Sequence, residues 1–283
     1  MQRIALLLTL AILLAGCRAP RRQRPAPTLP TEAPAESPAL TVPQDTPSPT
    51  ALPVATPTQE PRPEHTPVRV TPGSYEVVYR TGEYELKGYL CLPKGEPPFP
   101  AVIYNHGGLG DQIGGAPAET CEALAEAGFV GFSPLRRPTM SMEGHLDDVL
   151  AGVDYVKDLG YVDLDRLAIM GFSRGGLLTF MAGTVAPDDF KAIVIMAPAV
   201  KILEGYLAEA GKISAPVLLL VSENDNVQQN HIRSSQELNQ ALLSAEKQVE
   251  FLILPPYQDD GHMIFFEVGE YWKYVSQFLQ EHL

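Results

Sequence analysis

Residues 73–283 predict an α/β protein, a mostly parallel sheet of about eight strands with helices on both faces. Two observations carry this. Short continuous apolar runs such as Val217-Leu218-Leu219-Leu220-Val221 suit strands buried on both faces, as parallel sheets require. Helix-length segments separate the later runs, the alternation that successive β-α units need. Residues before 73 read differently, as an address and a tether.

Met1 to Cys17 opens with one cation, Arg3, followed by an apolar run from Ile4 to Leu14 and the sequence Leu14-Ala15-Gly16-Cys17. The run falls short of the roughly 20 apolar residues that a spanning helix needs, and it has the length of a signal-peptide core. It resembles a bacterial lipoprotein signal. That resemblance implies removal of residues 1–16, diacylation of Cys17 and a stable two-chain anchor on the extracytoplasmic side of a bacterial membrane. An ordinary secretory signal with an incidental cysteine is the alternative. Residues 18–72 hold 15 prolines and 9 threonines among 55 residues, with almost no aromatic or long aliphatic side chains. Such a segment cannot bury enough apolar surface to offset its ordering entropy. With Cys17 it reads as a lipid-anchored stalk, and a Pro-rich docking site is the other option. Arg18, Arg21, Arg22 and Arg24 lie where they can touch anionic headgroups.

The chain carries a formal net charge of −13, and from residue 73 onward it has 14 Lys+Arg against 29 Asp+Glu, a net of −15. An acidic surface repels polyanions, so nucleic acid is excluded as a partner. Three cysteines cannot form a disulfide scaffold in 283 residues. Acylation of Cys17 leaves Cys91 and Cys121, read here as buried small apolar side chains rather than a bridge.

In chain order, strands are expected at 75–80, 84–92, 101–105, 129–133, 167–170, 192–196, 217–221 and 249–254. The first two, with little between them, form an antiparallel pair at one sheet edge. Helices are expected at 116–127, 145–159, 175–185, 231–245 and 267–283. Ligands of such sheets sit at the carboxyl ends of the strands.

The strand at 167–170 runs into Gly171-Phe172-Ser173-Arg174-Gly175-Gly176, followed by a helical segment. This is G-x-S-x-G in the strand–turn–helix setting of a nucleophile elbow. Gly171 and Gly175 relieve the clash of the sharp turn, Ser173 projects its hydroxyl above the sheet, and the Arg174 N–H points toward a developing oxyanion. The strand at 101–105 ends in His106-Gly107-Gly108-Leu109-Gly110. At this point 73–283 resembles the α/β-hydrolase superfamily, closest to dienelactone-hydrolase-like and prolyl-oligopeptidase-like serine hydrolases.

The resemblance implies a second oxyanion N–H from Gly108, with Gly107 or Leu109 as alternatives, and a structural role for His106. It places the triad in the order Ser, Asp, His, hence Ser173, Asp225 in the turn after 217–221, and His262 in the Gly261-His262 pair after 249–254. Glu223 and Asp260 compete with Asp225. His145 and His231 begin helices and read as surface or capping residues. Arg136, beside Arg137, and Tyr104 are candidate substrate-binding residues; a solvated or salt-bridged arginine pair is the alternative. Only about twenty residues separate the strands at 192–196 and 217–221, which leaves no room for a large cap domain. Trp272 reads as core or interface. No cofactor is implied, and no metal-ligand spacing is present.

The expected activity is ester hydrolysis through an acyl-enzyme on a small-molecule substrate, with the membrane as partner only through the anchor. A peptidase or amidase of prolyl-oligopeptidase type, and an inactive displayed fold that binds ligands, are the alternatives.

Overall fold

The structure is a computed structural model and describes residues 71–199 and 203–283. The expected signal peptide, Cys17 and the stalk lie outside the described residues. One sheet of eight strands organises the rest: β1 (Gly73–Thr81), β2 (Tyr84–Leu92), β3 (Phe99–Asn105), β4 (Val130–Pro134), β5 (Val162–Phe172), β6 (Ala192–Met196), β7 (Val217–Ser222) and β8 (Val249–Leu254). Their spatial order is β1-β2-β4-β3-β5-β6-β7-β8. The β1–β2 and β2–β4 pairings are antiparallel and every later pairing is parallel. The mostly parallel sheet with an antiparallel edge is therefore as the apolar runs predict.

The pleat sends alternate residues to opposite faces, and each face has its own core. Ala101, Ile103, Leu167, Ile169, Ile193, Ile195, Val217 and Leu219 pack with side chains of α2 (His145–Lys157), α3 (Arg174–Val185) and α4 (His231–Ser244). Their strand neighbours Val102, Tyr104, Ala168, Met170, Val194, Met196, Leu218 and Leu220 pack with α1 (Pro117–Glu126) and α5 (Trp272–His282). Strands covered on both sides must be apolar throughout, which is why they show no alternation in sequence. Among the described residues no helix is long and apolar enough to cross a membrane.

Two expectations need correction. The segment before the last helix is not helical from 267. A short 3-10 turn (Gly261–Phe265) carries the chain out of β8, and α5 begins at Trp272. Cys91 and Cys121 form a disulfide, with Cα atoms 5.6 Å apart. The bond joins β2 to α1, two elements that pack together although 30 residues separate the cysteines. Sequence spacing alone does not show that contact.

Candidate active site

Between β5 and α3 the backbone makes a single sharp turn at Ser173, with φ 55° and ψ −117°. Three hydrogen bonds hold that conformation: Ser173 N–H donates to the Met196 carbonyl (2.9 Å), and the Ser173 carbonyl accepts from Leu177 (3.0 Å) and Ala199 (3.0 Å). Strain of this kind persists only where the surroundings over-determine it. The elbow glycines are required by contact distance. A Cβ on Gly171 would sit 2.4 Å from the Gly175 carbonyl oxygen, and one on Gly175 would sit 1.9 Å from that of Asn105. Arg174 opens α3, so its N–H belongs to the helix N-terminus, where donors lack intrahelical partners. Its side chain reaches away and donates to the carbonyls of Met140 and Ser141, both at 3.2 Å.

The chain after β3 passes directly against this turn; a Cβ on Gly107 would lie 3.1 Å from that of Ser173. Gly107 N–H donates to Gly114 (2.8 Å) and Gly114 N–H returns the bond (3.2 Å). The Gly107 amide is thereby consumed, which leaves Gly108 and Leu109 as oxyanion candidates from this loop. Gly108, at φ 89°, lines the same cavity as His262 and Phe172.

His106 supports the loop. Its Nδ1–H donates to the Gly107 carbonyl (2.6 Å), and its Nε2 accepts from Arg136 N–H (3.4 Å). Burial, aided by the Arg136 charge, pushes its pKa down to about 3, so it is neutral at pH 7.

On the other side, Asp225 is fully buried and its carboxylate accepts from His262 Nδ1 at 2.9 and 3.2 Å. The competing acids are elsewhere. Glu223 is exposed, and Asp260 caps the 3-10 turn by accepting from His262 N–H (3.0 Å). Asn224, which the sequence reading passed over, staples the two loops together. Its Oδ1 accepts from Ser222 Oγ (3.0 Å) and Tyr257 N–H (2.9 Å), and its Nδ2 donates to the carbonyls of Tyr257 and Gln258 (3.3 and 3.0 Å). Gly261 must be glycine because a Cβ there would lie 2.6 Å from Asn224 Oδ1.

Two rings contact His262. Phe172 lies 4.5 Å away between centroids, and His231 is stacked at 4.2 Å with 23° between planes. His231 is buried, which corrects its reading as a surface or capping residue; His145 is buried as well. Asp225, His231 and His262 offer donor atoms within 4.8 Å of one another. Both Nδ1 atoms are already hydrogen-bonded, and the rings lie face to face. In-plane lone pairs of stacked rings do not converge on an ion at about 2.0–2.1 Å, so the arrangement is a stack and not a chelate.

Arg136 and Tyr104 do not line the cavity. Arg136 is buried under the loop after β3, where its guanidinium donates to the His106 carbonyl (2.7 Å). Arg137 is ion-paired with Asp148 (2.6 Å), the salt-bridged alternative for that residue. Tyr104 is 1% exposed and packs with the α1-side core, so it has no surface to offer a substrate.

The cavity beside His262 has a volume of about 380 Å³. Leu109, Ile113, Phe172 and Phe266 form its apolar walls; besides His262 its polar side chains are Gln112 and Gln228. A larger groove of about 650 Å³ lies between β1 and α2, but its walls carry no nucleophile–base pair.

The sequence pattern of the prolyl oligopeptidase family (Peptidase_S9) matches residues 141–212. The chain is 27% identical over 213 residues to the uncharacterized peptidase YtmA of Bacillus subtilis, covering 62% of this chain and 82% of that protein. It is 24% identical over 172 residues to an Aquifex aeolicus protein provisionally described as a carboxymethylenebutenolidase, covering 54% and 73%. Among solved structures it is similar to the acylaminoacyl peptidase of Pyrococcus horikoshii (TM-score 0.63, 19% identity, 76% of this chain and 42% of that one). It is also similar to a provisional dienelactone hydrolase of Klebsiella pneumoniae (TM-score 0.61, 20% identity, 75% and 100%). The chain thus spans less than half of the peptidase structure and the whole of the smaller hydrolase, and at these identities the structural likeness is one of fold. Eight strands in this order, the crossing helices and these structural similarities give the chain the α/β-hydrolase fold.

Proposed function

We propose that the protein is a serine hydrolase that cleaves carboxylic esters with uncharged acyl groups through an acyl-enzyme. The observation that carries this reading is the buried Asp225–His262 pair, whose imidazole lines a cavity together with Phe172, the residue before Ser173 in the elbow. In the proposed reaction Ser173 Oγ attacks the ester carbonyl while His262 Nε2 takes its proton. Asp225 holds the Nδ1–H tautomer and stabilises the imidazolium that forms. The developing oxyanion is met by the N–H groups of Arg174 and Gly108. His262 then returns the proton to the leaving alkoxide, and water, deprotonated by the same imidazole, releases the acid.

The cavity lining favours an ester over a peptide. A substrate with a free ammonium or carboxylate needs a counter-charge, and the cavity is lined by no Asp, Glu, Lys or Arg. The peptidase reading is favoured by the family match over residues 141–212 and by the likeness to YtmA. Comparing kcat/KM for p-nitrophenyl acetate and butyrate with that for aminoacyl p-nitroanilides separates them. Efficient ester turnover with negligible anilide turnover is expected. The reverse preference makes the protein a peptidase, and no turnover of either by folded protein leaves a binding module.

The same proposal places the enzyme outside the cytoplasm, held to a bacterial membrane through Cys17 and raised on the stalk. The Cys91–Cys121 bond supports an oxidising compartment, since structural disulfides are rare in the cytosol.

A further inference from the structure

His231 is the buried titratable group that the proposed mechanism leaves unused. It opens α4 behind the cap residue Asn230, and its Nδ1–H donates to the Pro198 carbonyl at 3.1 Å. Pro198 belongs to the stretch 196–199 at the end of β6 that also pins Ser173: Met196 accepts from Ser173 N–H, and Ala199 donates to the Ser173 carbonyl. One stretch of four residues therefore holds Ser173 on one side and His231 on the other, while the His231 ring lies flat on His262. We propose that His231 is a positioning residue, a stacked plate that fixes the His262 ring plane relative to Ser173 and keeps water off that face. This rests on the hydrolase reading above.

The plate must stay uncharged for this to work, because a second cation against His262 would oppose proton transfer from Ser173. His262 and the positive end of the α4 dipole both act against protonation of His231. Asp225 and Asp260 face it and act in the other direction. Burial is the largest influence, and the net effect holds the His231 pKa below the usual imidazole range.

The test uses the full chain with His231→Ala and His231→Phe. Removing the plate frees the His262 ring, and small misplacements of a reacting group are costly, so His231→Ala is expected to lower kcat by about 10–100-fold while KM changes by less than about twofold. Water then reaches the imidazolium, so the acid limb of the kcat/KM profile moves to higher pH. His231→Phe keeps a flat neutral ring and should recover most of kcat. A purely structural residue would lower the melting temperature in both variants and leave the acid limb in place. The imidazole NMR titration of His262 in a Ser173→Ala background reads the same shift without turnover. It therefore decides the inference even if the hydrolase reading fails. Wild-type kcat with an unshifted His262 titration in His231→Ala would overturn the proposal. If His231→Ala does not fold, a tenfold or greater loss of kcat in His231→Phe would overturn it too.

Discussion

Ser173 holds a backbone conformation that costs on the order of 1–3 kcal/mol, and three hydrogen bonds and two obligatory glycines keep it there. That local requirement is why the elbow is legible as five letters of sequence. Gly171, Gly175 and Gly261 sit where backbone or side-chain oxygens leave no space for a Cβ, so the spacing records a steric fact. His231, Asn224 and Phe172 left no such mark. Their roles depend on which rings and amides meet across the tertiary structure, and a histidine at a helix start looks the same whether it faces solvent or another imidazole.

At this scale the buried histidines also set a pH dependence. His106 has a folded pKa of about 3, against about 6.5 in the unfolded chain, so below pH 6.5 the unfolded state binds a proton that the folded state refuses. Its contribution to stability is present above pH 6.5 and is lost progressively as pH falls toward 3. His145, depressed to about 4 by burial and by Arg136, adds in the same direction. The melting temperature should therefore fall between pH 6.5 and 4, less steeply in His106→Asn than in wild type. Parallel slopes would show that His106 does not carry the effect.

Among the elements, the central strands were readable because their burial on both faces enforces unbroken apolar runs, and their parallel sense follows from the β-α alternation; the position of β3 between β4 and β5 was not readable. The disulfide was not readable. β2 and α1 touch because β2 pairs with β4 and α1 packs across the same part of the sheet, a contact that belongs to the assembled fold. A bond closing a loop of 30 residues removes enough unfolded-state entropy to stabilise by about 3–4 kcal/mol. The Cys91→Ala/Cys121→Ala double variant should accordingly unfold at a markedly lower guanidinium midpoint with an intact far-UV spectrum. An unchanged midpoint would mean that the bond contributes nothing to stability.

For the whole molecule, the composition of residues 1–72 and of 73–283 describes two kinds of polymer, and the function proposed here needs both. A domain carrying a net −15 from residue 73 onward is repelled by anionic lipid, so the proposed membrane attachment rests on Cys17. Replacing Cys17 by Ala should move the protein from the membrane fraction to the soluble fraction without altering its specific activity. Continued sedimentation with membranes would contradict the anchor.

All of this turns on Ser173 being a nucleophile activated by the His262–Asp225 pair. Treatment with a fluorophosphonate, followed by intact-mass measurement and peptide mapping, tests it most directly. One adduct on Ser173 is predicted, absent in Ser173→Ala and formed at least about 10³-fold more slowly in His262→Ala. Equal labelling of Ser173→Ala, or no adduct on folded wild-type protein, would contradict the account.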